Sequence, residues 1–350
     1  MTELLVKAHN LTKSFQTRGV FRRKGQPLTA VDGVSLEIEK GEVMGLVGES
    51  GCGKSTTGKL LLRLLEPDTG QVFFGGEEIT SVGRTKLQDL RRQMQMIFQD
   101  PYSSLNPRQS SGEIIAEPLA IHNLGNKRER KERVAELLEL VGLEKNHADR
   151  LPHELSGGQR QRVGIARALA VEPSFIVADE AVSSLDVSMR AQILNLLKDL
   201  QKKLELTYLF IAHDLSIVRY LSQRVAVMYL GQIVEMGDTR SIFYHPQHPY
   251  TRSLLAAVTI PDPDVRPERS LPGGEVPSLT ELPGGCRFHN RCSQKMERCT
   301  REEPQLQRMG KAYMVRCHRA GESSASAQDF WEITRERSRK GEILSEVTGQ

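Results

Sequence analysis

Gly48-Glu49-Ser50-Gly51-Cys52-Gly53-Lys54-Ser55-Thr56 is the stretch whose reading decides the fold. Before it, Val43, Met44, Leu46 and Val47 read as a buried strand. After it, Leu60, Leu61, Leu62, Leu64 and Leu65, with no breaker until Pro67, read as a packed helix. The turn between them fits G-x-x-x-x-G-K-[ST]. Its glycines let successive backbone N–H groups curl around an anion, a path that a Cβ at Gly51 or Gly53 is expected to obstruct. Lys54 then brings a positive charge to the β- and γ-phosphates, Ser55 offers a hydroxyl to Mg²⁺, and the helix N-terminus adds its dipole. Strand before and helix after make this a nucleoside-triphosphate site rather than a chance Gly-rich turn.

The 350 residues suggest two domains, and 38% hydrophobic content is enough for a core. A net charge of +4 is too mild to imply nucleic acid as a partner. No run reaches the ~18–20 apolar residues that a membrane span needs, and Met1 to Lys7 lacks the basic and apolar pattern of a secretory leader. With a triphosphate site, the expected compartment is the cytoplasm, and any membrane role is expected to come through a partner.

Along the chain, Leu4 to Leu11 reads as an edge strand. Phe15 follows, an aromatic that can stack on an adenine ring or pack in the core; both readings stay open. Arg18 to Pro27 reads as a basic solvated loop that lipid headgroups would attract. Alternation from Ala30 to Glu39 predicts a half-buried strand. Met94 to Phe98 predicts a strand that delivers Gln99 to the carboxyl edge of a sheet, where phosphates bind in open α/β folds. Residues 101 to 155 carry helical texture without strand patterns, so a helical insertion interrupts the α/β core. The charge run Lys127 to Arg133 reads as a solvated helix face.

Ser156, Gly157, Gly158 and Gln159 then open a helix, a second anion-binding end by the same logic as the first. Two phosphate cradles and one nucleotide per chain imply that the second serves a neighbouring chain. Phe175 to Ala178 predicts a buried strand ending in Asp179 and Glu180. Strand alternation sends the two acids to different tasks: Asp179 to the Mg²⁺ shell and Glu180 to the water in line with the γ-phosphate. Leu209 to Ala212 repeats the pattern and ends in His213, whose imidazole can donate to a γ-phosphate oxygen. A hairpin around Leu230-Gly231 is expected to close the fold.

Together these residues resemble the ATP-binding cassette (ABC) family from about Leu4 to Val258. Gly48 to Thr56 looks like its Walker A, Gln99 its Q-loop, Leu155 to Gln159 its signature motif and Phe175 to Asp179 its Walker B. Glu180 matches its catalytic glutamate, Asp186 its D-loop and His213 its switch histidine. The resemblance implies a P-loop NTPase cassette of α/β class, with a RecA-like core, an antiparallel β subdomain and a helical insertion. It implies ATP and Mg²⁺, with Ser55, Gln99 and Asp179 around the metal. It also implies two cassettes head-to-tail, each signature motif completing the partner's site. One departure is Ala181, where the family usually has proline; its absence is expected to loosen that turn slightly.

Gln95 to Arg108 and Ile242 to Leu255 look like the oligopeptide/dipeptide importer branch, most like the second of its two paired ATPases. The partners implied are a second ABC ATPase, two transmembrane permease subunits and an extracytoplasmic solute-binding protein, with no direct nucleic acid. The place implied is the cytoplasmic face of a bacterial inner membrane. A soluble ABC ATPase acting on nucleic acid or ribosomes is the alternative, though such proteins usually carry two cassettes or a long coiled coil. A non-enzymatic regulatory cassette is disfavoured by intact Lys54, Glu180 and His213.

Eight of the sixteen prolines fall between Pro246 and Pro283, which marks 259–283 as a linker after a 1–258 cassette. Residues 284–320 then read as a small module with Cys286, Cys292, Cys299 and Cys317, and 321–350 as a weakly ordered tail. Four clustered thiols in a cytosolic chain argue for a metal. Their spacing is wider than in zinc ribbons and suits an iron–sulfur cluster; zinc and free thiols stay open. The resemblance implies a [4Fe–4S] cluster with a structural role.

Overall fold

The computed structural model describes residues 3–18, 24–257, 277, 279, 282–310 and 312–321. The expected linker falls almost wholly outside them, as do the tail beyond 321 and residues 19–23 of the expected basic loop, whose described residues, 18 and 24–27, are paired strand instead. The chain runs β1 (Leu4–Arg18), β2 (Lys24–Glu39), β3 (Val43–Val47), α1 (Lys54–Leu61), β4 (Thr69–Phe74), β5 (Glu77–Glu78), α2 (Arg84–Gln93) and β6 (Met94–Ile97). The helical insertion holds α3 (Pro101–Ser104), α4 (Ser111–Ile121) and α5 (Lys127–Leu140), and ends in two short 3₁₀ turns. Then follow α6 (Gly157–Leu169), β7 (Phe175–Asp179), α7 (Val187–Leu204), β8 (Thr207–Ala212), α8 (Leu215–Leu221), β9 (Arg224–Tyr229), β10 (Gln232–Asp238), α9 (Thr239–Tyr244) and α10 (Pro249–Ala256). The C-terminal segment adds α11 (Glu297–Arg301), β11 (Gln307–Arg308) and β12 (Met314–Val315).

The main sheet has the order β11-β12-β10-β9-β3-β8-β7-β6, parallel from β9 through β6. Residues of β3, β7 and β8 are buried on both faces, as parallel strands covered by crossover helices must be. Alternation splits them between two cores. Val43, Val47, Ile176, Ala178, Tyr208 and Phe210 face the helical insertion with α6 and α7. Met44, Leu46, Phe175, Val177, Leu209 and Ile211 face α1 and the second sheet. α1 lies so close that a Cβ on Gly58 would come within 2.8 Å of Val177 and 2.9 Å of Ile211.

Two further expectations change. β1 is not an edge strand: it pairs with β2 on one side and β4 on the other, in a sheet of order β2-β1-β4-β5. Both partners bond over the same stretch, β4 from Val6 to Thr12 on the edge opposite β2. The β9–β10 hairpin does not close the fold either. Glu235 and Met236 of β10 pair with Val315 and Met314 of β12, so the cysteine-bearing segment extends the main sheet. The charge run 127–133 is a solvated helix face as expected, with Arg128–Glu132 and Arg133–Glu136 pairs at 3.0 and 3.1 Å. Among the described residues, no helix is long and apolar enough to cross a membrane.

Overpacking the α1–sheet contact tests this arrangement. Gly58→Val is expected to lower the unfolding free energy by about 1–3 kcal/mol, read from the urea midpoint; an unchanged midpoint would contradict the close approach.

Candidate active site

Parallel pairing sets the carboxyl ends of β3, β6, β7 and β8 side by side: Val47 lies opposite Ala212, Ile97 opposite Ala178 and Asp179 opposite Ile211. The residues that come directly after these strands therefore gather at one edge of the sheet. A cleft of about 550 Å³ opens there, lined by Phe15, Glu49 to Thr56, Gln99 and Glu180. Leu28, Ala30, Tyr229, Leu230, Pro277 and Leu279 complete its walls. Phe15 is 38% exposed, so its ring is a wall of the cleft and not a core residue.

The loop between β3 and α1 winds around open space. Gly53, at φ 106°, has the carbonyl of Ala30 where a Cβ would sit, 2.0 Å away. Gly51 differs from expectation: the space around it is open, and its need for glycine comes from φ 77° alone. Lys54 is buried, and its ammonium donates to the Gly48 and Glu49 carbonyls at 2.8 and 2.9 Å. An arriving phosphate oxygen would take over from these carbonyls as acceptor.

Of the side chains expected around Mg²⁺, Ser55 and Asp179 are joined. The hydroxyl donates to the carboxylate at 2.8 Å. Asp179 shares its sheet face with Phe175 and Val177, the face α1 covers, which is why strand alternation delivers it to Ser55. Burial raises the Asp179 carboxyl above its ordinary range, opposed by the Ser55 bond, so a cation that neutralises it would be favoured. Gln99 departs from the expected set, since its amide donates to Glu180 at 2.9 Å. His213 Nδ1 stands 3.5 Å from the same Glu180 carboxylate. Glu180, Gln99 and His213 thus form one polar group on the other side of the β7 end.

Glu180 takes φ 45°, the left-handed region, which costs a non-glycine residue about 1–3 kcal/mol. Its N–H bonds to Ile211 O, and its carbonyl accepts from both the amide and the hydroxyl of Ser183, all at 3.0 Å. Ala181, where the family usually has proline, is buried at 2% exposure. Alanine there also spares Glu180 the restriction that a following proline imposes.

The remaining site residues lie apart from the cleft. Ser156 caps α6, accepting from Gln159 N–H at 3.3 Å, while the Gln159 side chain accepts from Ser156 N–H at 3.0 Å. Gly158 lets this helix end approach the start of α7: a Cβ there would sit 2.8 Å from Met189 Sδ, whereas one on Gly157 would make only an ordinary 3.5 Å contact with Leu185. Asp186 caps α7 through Met189 N–H at 2.9 Å, and this bond is the first cause holding its carboxyl below the usual range. None of Ser156, Gly157, Gly158, Gln159 or Asp186 lines the cleft.

Cys286, Cys292, Cys299 and Cys317 are brought together around one small pocket that His248, His289 and His318 also line. Burial pushes the Cys286 thiol up to about 11 and raises Cys292 and Cys317 as well. The arrangement itself lends the expected metal set no support. Among the described residues no group of three or more His, Cys, Asp or Glu side chains could hold a metal ion. Sequence reasoning also missed the cleft walls Tyr229 and Leu230, which turn in from the β9–β10 hairpin; only that hairpin's position beside β3 reveals them.

The ABC transporter family profile matches residues 31–183, and that of the oligopeptide/dipeptide transporter C-terminal region matches 234–299. The oligopeptide transport ATP-binding protein AppF of Bacillus subtilis is 47% identical over 320 residues, 90% of this chain and 97% of its own. A Brucella ovis protein, provisionally named a peptide import ATP-binding protein, is 48% identical over 91% of this chain and 99% of its own. Among solved structures, a dimeric post-hydrolysis state of the ATP-binding cassette MJ0796 bound to ADP and Pi is 31% identical. Its TM-score is 0.61, and the match covers 67% of this chain and 99% of that one. Cleft, motif order and near full-length relatives agree, and this chain belongs to the ABC transporter ATP-binding family, in its oligopeptide/dipeptide branch.

Proposed function

We propose that this chain is the ATP-hydrolysing subunit of a bacterial importer for peptides or a related small solute. The observation that carries the reading is the convergence of Lys54, the Ser55–Asp179 pair and the Gln99–Glu180–His213 group at one sheet edge. Lys54 and the amides of Gly48 to Thr56 would hold the phosphates, and Phe15 would stack on the adenine. Ser55 and Asp179 would carry Mg²⁺, with Gln99 joining as it leaves Glu180 on closure. Glu180 would take the proton of the water that attacks the γ-phosphorus while the bond to the β-phosphate oxygen breaks, and His213 would donate to a γ-oxygen.

The signature residues Ser156 to Gln159 stand outside the cleft, as the head-to-tail reading requires: they and Asp186 would close on a second ATPase's nucleotide. That second subunit is proposed to be a different chain, with this one its second-ATPase type. Two permease subunits and an extracytoplasmic solute-binding protein would complete the importer at the cytoplasmic face of the inner membrane. By this reading residues 1–258 form the cassette, and the C-terminal segment is its branch-specific addition.

The four cysteines are proposed to hold a [4Fe–4S] cluster. Their common pocket and soft thiol donors support this, and a multi-iron cluster, unlike a single ion, is held by sulfurs around its rim. When bound it would supply a cross-link between Cys286, Cys292, Cys299 and Cys317.

Two outcomes test these assignments. Glu180→Gln is expected to keep MgATP binding and to lower the ATPase turnover of the assembled complex by about 10²–10⁴-fold; wild-type turnover would refute the base assignment. Anaerobically purified chain is expected to contain iron and acid-labile sulfide, and Cys299→Ser to lose both with a lower melting temperature. Stoichiometric zinc without sulfide would replace the cluster with a zinc site.

A further inference from the structure

Resting on the reading of Gly48 to Thr56 as an ATP-binding loop, we infer that Arg291 and Tyr250 are positioning residues for nucleotide. Through them the cysteine-bearing segment grips the phosphate loop at Glu49. The Arg291 side chain is only 8% exposed, and its two terminal nitrogens donate to the two Glu49 carboxylate oxygens at 2.8 and 2.9 Å. A two-pronged, charge-assisted pair of this kind fixes orientation as well as distance. The guanidinium lies 5.8 Å from the ring centroids of both Tyr229 and Phe288, and the Glu49 carboxylate pushes its pKa up. Glu49 is held at its backbone too, because its N–H donates to the Tyr250 hydroxyl at 2.9 Å. Tyr250 is buried at 1% exposure, its ring 4.5 Å from Tyr229.

Glu49 is therefore clamped at amide and carboxylate by residues from α10 and from the segment after the linker. Its carbonyl is one of the two that seat the Lys54 ammonium. The grip thus passes from Arg291 through Glu49 to the residue that meets phosphate. Charge makes the pair matter further. An unpaired carboxylate lining the cleft would repel a triphosphate, and Arg291 neutralises it. The seat of Arg291 is itself secured nearby: Phe288 is 2% exposed, and Arg287 binds Asp32 and the Leu230 carbonyl. Pro277 and Leu279 reach the cleft as well. The C-terminal segment is then a wall of the nucleotide site and not an appendage.

Equilibrium binding of MgATP to the full chain tests this with Arg291→Ala, Glu49→Gln and the double variant, alongside the wild type. Arg291→Ala is expected to raise Kd about tenfold, because it leaves the Glu49 carboxylate orphaned beside the phosphates. The double variant is expected to bind more tightly than Arg291→Ala, since no orphan charge remains. Arg291→Lys is expected to restore part of the affinity. In the ATPase assay KM should rise with kcat nearly unchanged, a split that a purely structural ion pair would not produce. If Arg291→Ala does not fold, Tyr250→Phe serves instead, with Kd expected about fivefold higher. A wild-type Kd in the folded variant, or a double variant no tighter than Arg291→Ala, overturns the proposal. Wild-type chain that fails to bind MgATP overturns the nucleotide reading itself.

Discussion

Parallel pairing of β3 with β8 and β9, and of β7 with β6 and β8, is the constraint on which the rest of the structure depends. Strands buried on both faces have little room for polar side chains along their length, so chemistry gathers where they stop. Four strands stop together, and the residues beyond them become neighbours despite wide separation in sequence. The Ser55–Asp179 bond at 2.8 Å is the clearest result, joining the start of α1 to the end of β7.

Period-two alternation then divides labour within that edge. Asp179 continues the face that α1 covers, whereas Glu180 turns away and meets Gln99 and His213. The turn that does this holds Glu180 at positive φ, and hydrogen bonds from Ser183 and to Ile211 keep it there. A side chain held in a strained backbone conformation by its surroundings is pre-aimed, so less ordering remains when substrate arrives.

The C-terminal segment obeys different physics. It has little core of its own, and it gains order by adding β12 to β10 and by inserting Phe288 among Tyr229, Tyr250 and His248. Burial holds His248 down to about 3, so it stays neutral within that cluster. Arg291 and Arg287 carry the same attachment across to Glu49 and Asp32. A segment attached in this way can thereby stiffen a loop that lies far earlier in the chain.

By itself the sequence determined the strand–loop–helix at Gly48 to Thr56, the order of polar strand endings at Gln99, Asp179, Glu180 and His213, and the clustering of four thiols. These are legible because spacing, alternation and glycine requirement are local. Only the tertiary structure decided that β1 is flanked on both sides and that Gln99 rests on Glu180. The same holds for Tyr229 and Leu230 as cleft walls, and for Arg291 reaching back to the phosphate loop. Those facts depend on which strands become neighbours and on which side chains long connections bring into hydrogen-bonding range, and no local periodicity encodes either.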